Sequence, residues 1–176
     1  MVEDGGPEGS GRRPWFTAAV WYGLAVLLLG LDQWSKGLAS GHLAYGDEVR
    51  VLPFLSWKLL HNTGAAFSAF AGDAGWQRWV FSAVAVAVAT FMVNEIRKLP
   101  AGAAWYGFAY GCILAGALGN LVDRATLGYV VDFVFVHYDW FRFPVFNVAD
   151  SAVTVGAGTW IVLLALEALR ARAAAR

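Results

Sequence analysis

Gly116–Ser151 reads GALGNLVDRATLGYVVDFVFVHYDWFRFPVFNVADS, and the architecture of the chain is decided around it. The stretch carries Asp123, Asp132, Asp139 and Asp150, with apolar segments running up to it and away from it. A carboxylate at the edge of a bilayer is expensive unless it is paired, solvated or used, so aspartates placed here point to a site.

The surrounding composition supports the membrane premise. Hydrophobic residues make up 59% and charged residues only 15% of the chain, and the mean hydropathy is +0.53. A soluble domain carries more charge and less apolar residue. The length of 176 residues fits one domain. A formal net charge of zero offers no broad basic surface, so no nucleic-acid partner is expected. Cys112 is the only cysteine, which rules out an intrachain disulfide, and its apolar setting reads as packing.

Working outward, four apolar runs are long enough to cross a bilayer, with boundaries expected at 15–34, 76–94, 103–122 and 147–169. Trp76 and Trp79 stand at the start of the second as interface residues, and Gly107, Gly111, Ala115, Gly116 and Gly119 let the third pack closely. Residues 1–13 read as a disordered, Gly-rich tail and 171–176 as a cytoplasmic tail, leaving 14–170 as a single membrane domain. The segment 37–75 mixes apolar patches with Pro53, Lys58 and His61, and Val49/Val51 alternate; short strands on the membrane surface are expected there. The fold class is therefore an all-α membrane protein of four transmembrane helices, with a small extracytoplasmic β-like segment between the first two.

Four helices put both termini on one side. Arg12, Arg13, Arg97, Lys98, Arg170, Arg172 and Arg176 lie on that side, and Lys36, Arg50, Lys58, Arg78, Arg124 and Arg142 on the other. The first set crowds short tails and a tight turn, so the termini are placed in the cytoplasm and the aspartate-bearing loops outside.

GNLVDR, VVDF and FNVADS, together with DQWSK and HNTGAAF upstream, resemble the lipoprotein signal peptidases (signal peptidase II), which are membrane aspartyl proteases. The resemblance runs from about Val20 to Leu169. It implies catalytic aspartates in V-x-D and N-x-x-D contexts, here Asp132 and Asp150. It implies that Asp32 serves function and Lys36 structural support, whereas their i, i+4 spacing alone reads as a surface ion pair beside an interface Trp34. Asn120 and Arg124, one face of a helix end, would line the substrate cleft, with Arg124 donating to the substrate backbone. Asp123, offset from them, reads as structural. Asn62 offers an amide for orienting a backbone and Gly64 a close approach, although Asn-Thr-Gly is also an ordinary turn. Asn147 is a favoured N-cap and stands to orient the two acids. His61 and Asp139 read as solvated.

The chemistry fits that implication. Peptide hydrolysis by two carboxylates needs one charged acid and one neutral acid brought together from separate segments. Asp132 lies after the third apolar run, in a loop, and Asp150 opens the fourth. The resemblance implies cleavage of diacylglyceryl-modified prolipoproteins just before the lipidated cysteine, in the bacterial inner membrane, by a monomer in contact with membrane lipid. It also implies inhibition by globomycin-type cyclic peptides, with no metal and no cofactor. The main rival is a transporter or channel using aspartates as a proton or cation relay. A relay favours acids spread across membrane depth, whereas these gather at one edge. A catalytically dead scaffold is disfavoured by the intact Asp132 and Asp150.

Overall fold

The computed structural model describes residues 14–64 and 75–176. The expected tail 1–13 and the Ala65-Ala66-Phe67 end of HNTGAAF lie outside the described residues. The element order is α1 (Pro14–His42), β1 (Glu48–Leu52), β2 (Leu55–Asn62), α2 (Trp76–Lys98), α3 (Ala104–Thr126), β3 (Val130–Tyr138), β4 (Phe141–Arg142) and α4 (Val148–Ala174). Among the described residues α2, α3 and α4 are each long and apolar enough to cross a membrane.

α3 is the centre of the bundle, because its small residues let three other helices reach its backbone. A Cβ at Gly111 would stand 3.1 Å from the Trp21 carbonyl of α1, and one at Gly119 only 2.6 Å from an Asp32 carboxylate oxygen. On the α4 side, a Cβ at Gly156 would meet the Ala109 carbonyl of α3 at 2.6 Å. Ala25, Ala89, Met92, Ile96, Tyr110, Ile113 and Leu114 fill the core around these approaches. The outward faces keep large apolar side chains exposed, among them Val26, Val84 and Ile161, as a bilayer-facing surface requires.

The sheet is larger than expected. β1–β2–β3–β4 form one antiparallel series, so half of it comes from the segment before α4 and the chain is not all-α. Asp132 therefore lies on a strand and not in a loop. Val130–Val136 is apolar at every position but Asp132, and that near-continuous run hides the alternation that would have marked a half-buried strand.

Once paired, the alternation is plain. Glu48 faces Lys58, and Arg50 faces Ser56. Ser56 is hydrogen-bonded to His137 at 2.8 Å, giving one polar face. Val49, Trp57 and Val134 line up on the other. The register shifts between Trp57 and Leu60, and beyond that irregularity Asp132 pairs with Leu60.

Helix ends also run past the expected limits. α1 continues to His42 because Asp32 and Lys36 are buried inside the bundle. α4 continues to Ala174 through an Ala/Leu/Arg sequence that favours helix.

Gly156→Ala should lower stability by about 1–3 kcal/mol, the cost of overpacking a close contact. Gly158→Ala, where nothing lies within 4 Å of the added Cβ, should stay within about 0.5 kcal/mol. Thermal unfolding of the two variants in detergent micelles checks the contrast.

Candidate active site

Asp150 is set by the start of α4. The chain emerges extended from Pro144, and Asn147 at φ −135°, ψ −175° becomes the N-cap. Asn147 Oδ1 accepts from the Asp150 amide at 2.9 Å, and Asp150 Oδ2 accepts from the Asn147 amide at 3.3 Å. This reciprocal capping fixes the carboxylate at the third helical position, among the unpaired amides of the first turn. Its other oxygen accepts from Asn120 Nδ2 at 2.7 Å.

Asp132 approaches from β3 and is only 2% exposed. Asn147 Nδ2 donates to its Oδ1 at 2.7 Å, and Asn62 Nδ2 to its Oδ2 at 3.0 Å. Asn62 is itself braced, its Oδ1 accepting from the Gly64 amide at 2.8 Å. Gly64 sits at φ 89°, and an added Cβ there would fall on the Phe81 ring. Burial, and then the charge of Asp150, push the Asp132 carboxyl up to about 6; the two asparagine donors and Lys36 oppose that rise. One amide, Asn147, thus touches both aspartates. Its Nδ2 also reaches the Val131 carbonyl and Asn120 Oδ1, each at 3.2 Å. Two hydrogens serve three acceptors, so the longer contacts are shared.

Behind this pair lies a buried ionic cluster. Lys36 is 3% exposed and Asp32 1%. Lys36 Nζ lies 2.8 Å from Asp32, 2.9 Å from Asp123 and 3.1 Å from Asn120 Oδ1, which uses all three ammonium hydrogens. The free oxygen of Asp32 accepts from the Ala149 amide at 2.8 Å, next to Asp150. Asp123 accepts from the Val131 amide at 3.0 Å, next to Asp132. The surface ion pair suggested by i, i+4 spacing is therefore a buried brace. Asp123 lies in this brace, 3% exposed.

Gln33 was missed. Its Nε2 donates to Asp123 at 2.9 Å, to Asp32 at 3.1 Å and to the Gly119 carbonyl at 3.2 Å. An amide one residue after an aspartate carries no periodic signal, and only the approach of α3 gives it partners.

Arg124 stands apart from this network. Its guanidinium lies over the Phe81 ring at 5.3 Å and makes a long 3.4 Å contact to the Asn120 carbonyl. His61 is stacked on Tyr129 at 4.0 Å, away from the carboxylates. Asp139 is exposed in the β3–β4 turn, at φ 51°.

Two aspartates from separate segments, joined by one asparagine at a membrane helix end, are what an aspartic membrane peptidase needs. Residues 24–166 match the family Signal peptidase (SPase) II. The chain belongs to the signal peptidase II family. It is accordingly an aspartic peptidase. The lipoprotein signal peptidase of Acinetobacter baumannii is 53% identical over 137 residues, covering 78% of each chain. That of Pseudomonas aeruginosa is 46% identical over 165 residues, covering 92% of this chain and 91% of the relative. A solved bacterial membrane enzyme superposes with a TM-score of 0.75 at 29% identity, covering 85% of this chain and 90% of its own.

Removing the ammonium from the brace leaves two carboxylates buried without their counter-charge. Lys36→Met should cost about 3–5 kcal/mol. The Lys58–Glu48 pair, with 27% and 38% of the side chains exposed, sets the contrast. Lys58→Met should cost about 1 kcal/mol or less. Thermal unfolding of both variants, at a pH where all these groups are charged, separates brace from surface pair.

Proposed function

We propose that Asp132 and Asp150 are the catalytic pair of a peptidase that removes signal peptides from diacylglyceryl-modified prolipoproteins, cutting just before the lipidated cysteine. The linking of both carboxylates by Asn147, whose side-chain Nδ2 donates to Asp132 and whose backbone N–H donates to Asp150, is the observation that carries this reading. Asp150, at the positive end of α4, holds the charge and takes a proton from water as the water oxygen attacks the scissile carbonyl. Asp132, buried and pushed up to about 6, carries the other proton and donates it to the developing oxyanion. Collapse of the tetrahedral intermediate breaks the C–N bond as the proton held by Asp150 passes to the leaving nitrogen and one hydroxyl returns its proton to Asp132, restoring both acids. The helix-end contribution, about 0.3–1 kcal/mol and up to roughly 2 in a partly buried site, biases a shared proton without locking it.

Around the pair, Asp32, Lys36 and Asp123 hold the two segments, Asn62 and Gly64 shape the turn beside Asp132, and Asn120 and Arg124 face the substrate. α1 is the fourth crossing of a single domain over 14–170. Both termini are cytoplasmic, and the site opens at the extracytoplasmic face of the inner membrane. The apolar face of the sheet lies against lipid and covers the cleft. The enzyme acts as a monomer on a substrate whose acyl chains stay in the bilayer, and globomycin-type cyclic peptides occupy the same cleft.

Asp132→Asn and Asp150→Asn should each reduce cleavage of a lipidated prolipoprotein to background while the protein stays folded and inserted. Asp139→Asn should cut normally. Gel-resolved release of the signal peptide reads all three, and comparable turnover in either of the first two variants would remove that residue from the pair.

The pH dependence follows from the sign of the Asp132 shift. The neutral form of Asp132 is required, and that form is lost as pH rises through about 6. kcat/KM, which reports the free enzyme, should therefore decline above about 6. For kcat the same limb should move to higher pH, because bound substrate desolvates the carboxyl further. Initial rates across pH at saturating and limiting substrate check both limbs.

A further inference from the structure

At the end of the bundle remote from the aspartates, α2, α3 and α4 diverge around a groove of about 1170 Å³. Its wall is aromatic. Tyr110 meets Trp160 edge-on with centroids 5.4 Å apart, and Tyr106 stands 5.9 Å from Tyr110. Two carboxylates, Glu95 and Glu167, line the groove together with that wall. Two cations complete the rim. Lys98 Nζ lies 2.7 Å from Glu95 with 69% of its side chain exposed, and Arg170 lines the same groove. Glu167 is roughly 30 Å along α4 from Val148, at about 1.5 Å per residue, so these charges stand at headgroup level when the aspartates mark the opposite interface.

The pattern of charge selects among occupants. A basic peptide segment would meet Lys98 and Arg170, and a purely anionic headgroup would meet Glu95 and Glu167. A group holding both an ammonium and a phosphate satisfies all four. Carboxylates bind strongest to a cation that donates N–H, and aromatic faces add attraction to the same cation.

We propose that this groove binds a phospholipid with a phosphoethanolamine headgroup, its ammonium toward Glu167 and the tyrosines, its phosphate toward Arg170 and Lys98, and its chains along the apolar faces of α3 and α4.

The test is native mass spectrometry of the full-length, detergent-solubilised protein. It is titrated with phosphatidylethanolamine, phosphatidylglycerol and phosphatidylcholine of identical acyl chains. Phosphatidylethanolamine should be retained about threefold better than the other two, the worth of one partly exposed charge contact. Glu167→Gln should erase that preference. Arg170→Gln, at the exposed rim, should lower retention of all three lipids and serves where Glu167→Gln destabilises the protein. Equal retention of the three lipids by the unmodified protein would overturn the proposal, as would a preference that survives Glu167→Gln or a retention that Arg170→Gln leaves unchanged. So would displacement of phosphatidylethanolamine by a synthetic signal peptide with a basic N-terminus, an outcome that assigns the groove to peptide.

Discussion

The Lys36 ammonium holds the candidate site together. It spends one hydrogen each on Asp32, Asp123 and Asn120, and each of these passes the constraint to a different part of the site. Asp32 takes the Ala149 amide, one of the four N–H groups that the start of α4 leaves without a helical partner. Asp123 takes the Val131 amide where β3 begins, and Asn120 donates its Nδ2 hydrogen to Asp150. Buried ions repay their desolvation only when the remaining lone pairs are also satisfied. Here backbone amides and Gln33 complete the carboxylates, so the pair does not have to hold on Coulomb attraction alone. Removing the amide partner on α4 would leave Asp32 of α1 short of a contact, and removing the one on β3 would do the same to Asp123 of α3. The spacing of the two proposed catalytic segments and the stability of the bundle therefore rest on the same atoms.

Asn147 adds the second constraint. Aspartate or serine would also cap a helix. An aspartate, however, would supply no donor toward Asp132 and would add a negative charge beside two others, and a hydroxyl has a single hydrogen where Asn147 uses two. Asparagine alone offers an acceptor for the Asp150 amide and a two-hydrogen donor for the other side. The cap geometry that starts α4 is thus the geometry that aims both carboxylates, and fraying of that first turn would separate them.

What was legible in the sequence was whatever depended on one segment at a time. Run length gave the apolar helices, and the row of small residues on α3 gave its close packing. Asn147 after Pro144 gave the cap, and the flanking motifs singled out Asp132 and Asp150 among four aspartates. Properties created by a second segment were not legible. An i, i+4 acid–base pair looks the same on a surface as in a core, and only the approach of α3 at Gly119 buries Asp32 and gives Gln33 its acceptors. β3 was missed because a strand covered on both faces loses its period-2 signal over Val130–Val136, and β4 because two exposed residues, Phe141 and Arg142, are too few to show a period. The register shift between Trp57 and Leu60, which decides where Asn62 meets Asp132, leaves no mark in composition.

The two proposed catalytic residues differ because they stand on different kinds of element. A strand position enclosed by Val130, Val131 and Phe133 strips water from Asp132 and replaces it with two neutral amide donors, so desolvation prevails and the carboxyl is pushed up to about 6. A helix start gives Asp150 a different setting, presenting it with unpaired amides and the positive end of the peptide dipoles while leaving it half-exposed. Two chemically identical side chains are thereby assigned unlike tasks by backbone context alone. The half-exposed one is the one that water can reach. The buried one stands where water is excluded, as the carbonyl of a lipid-anchored peptide arriving from the bilayer requires. A protease working at a bilayer needs that division, since its water and its substrate arrive from opposite solvents.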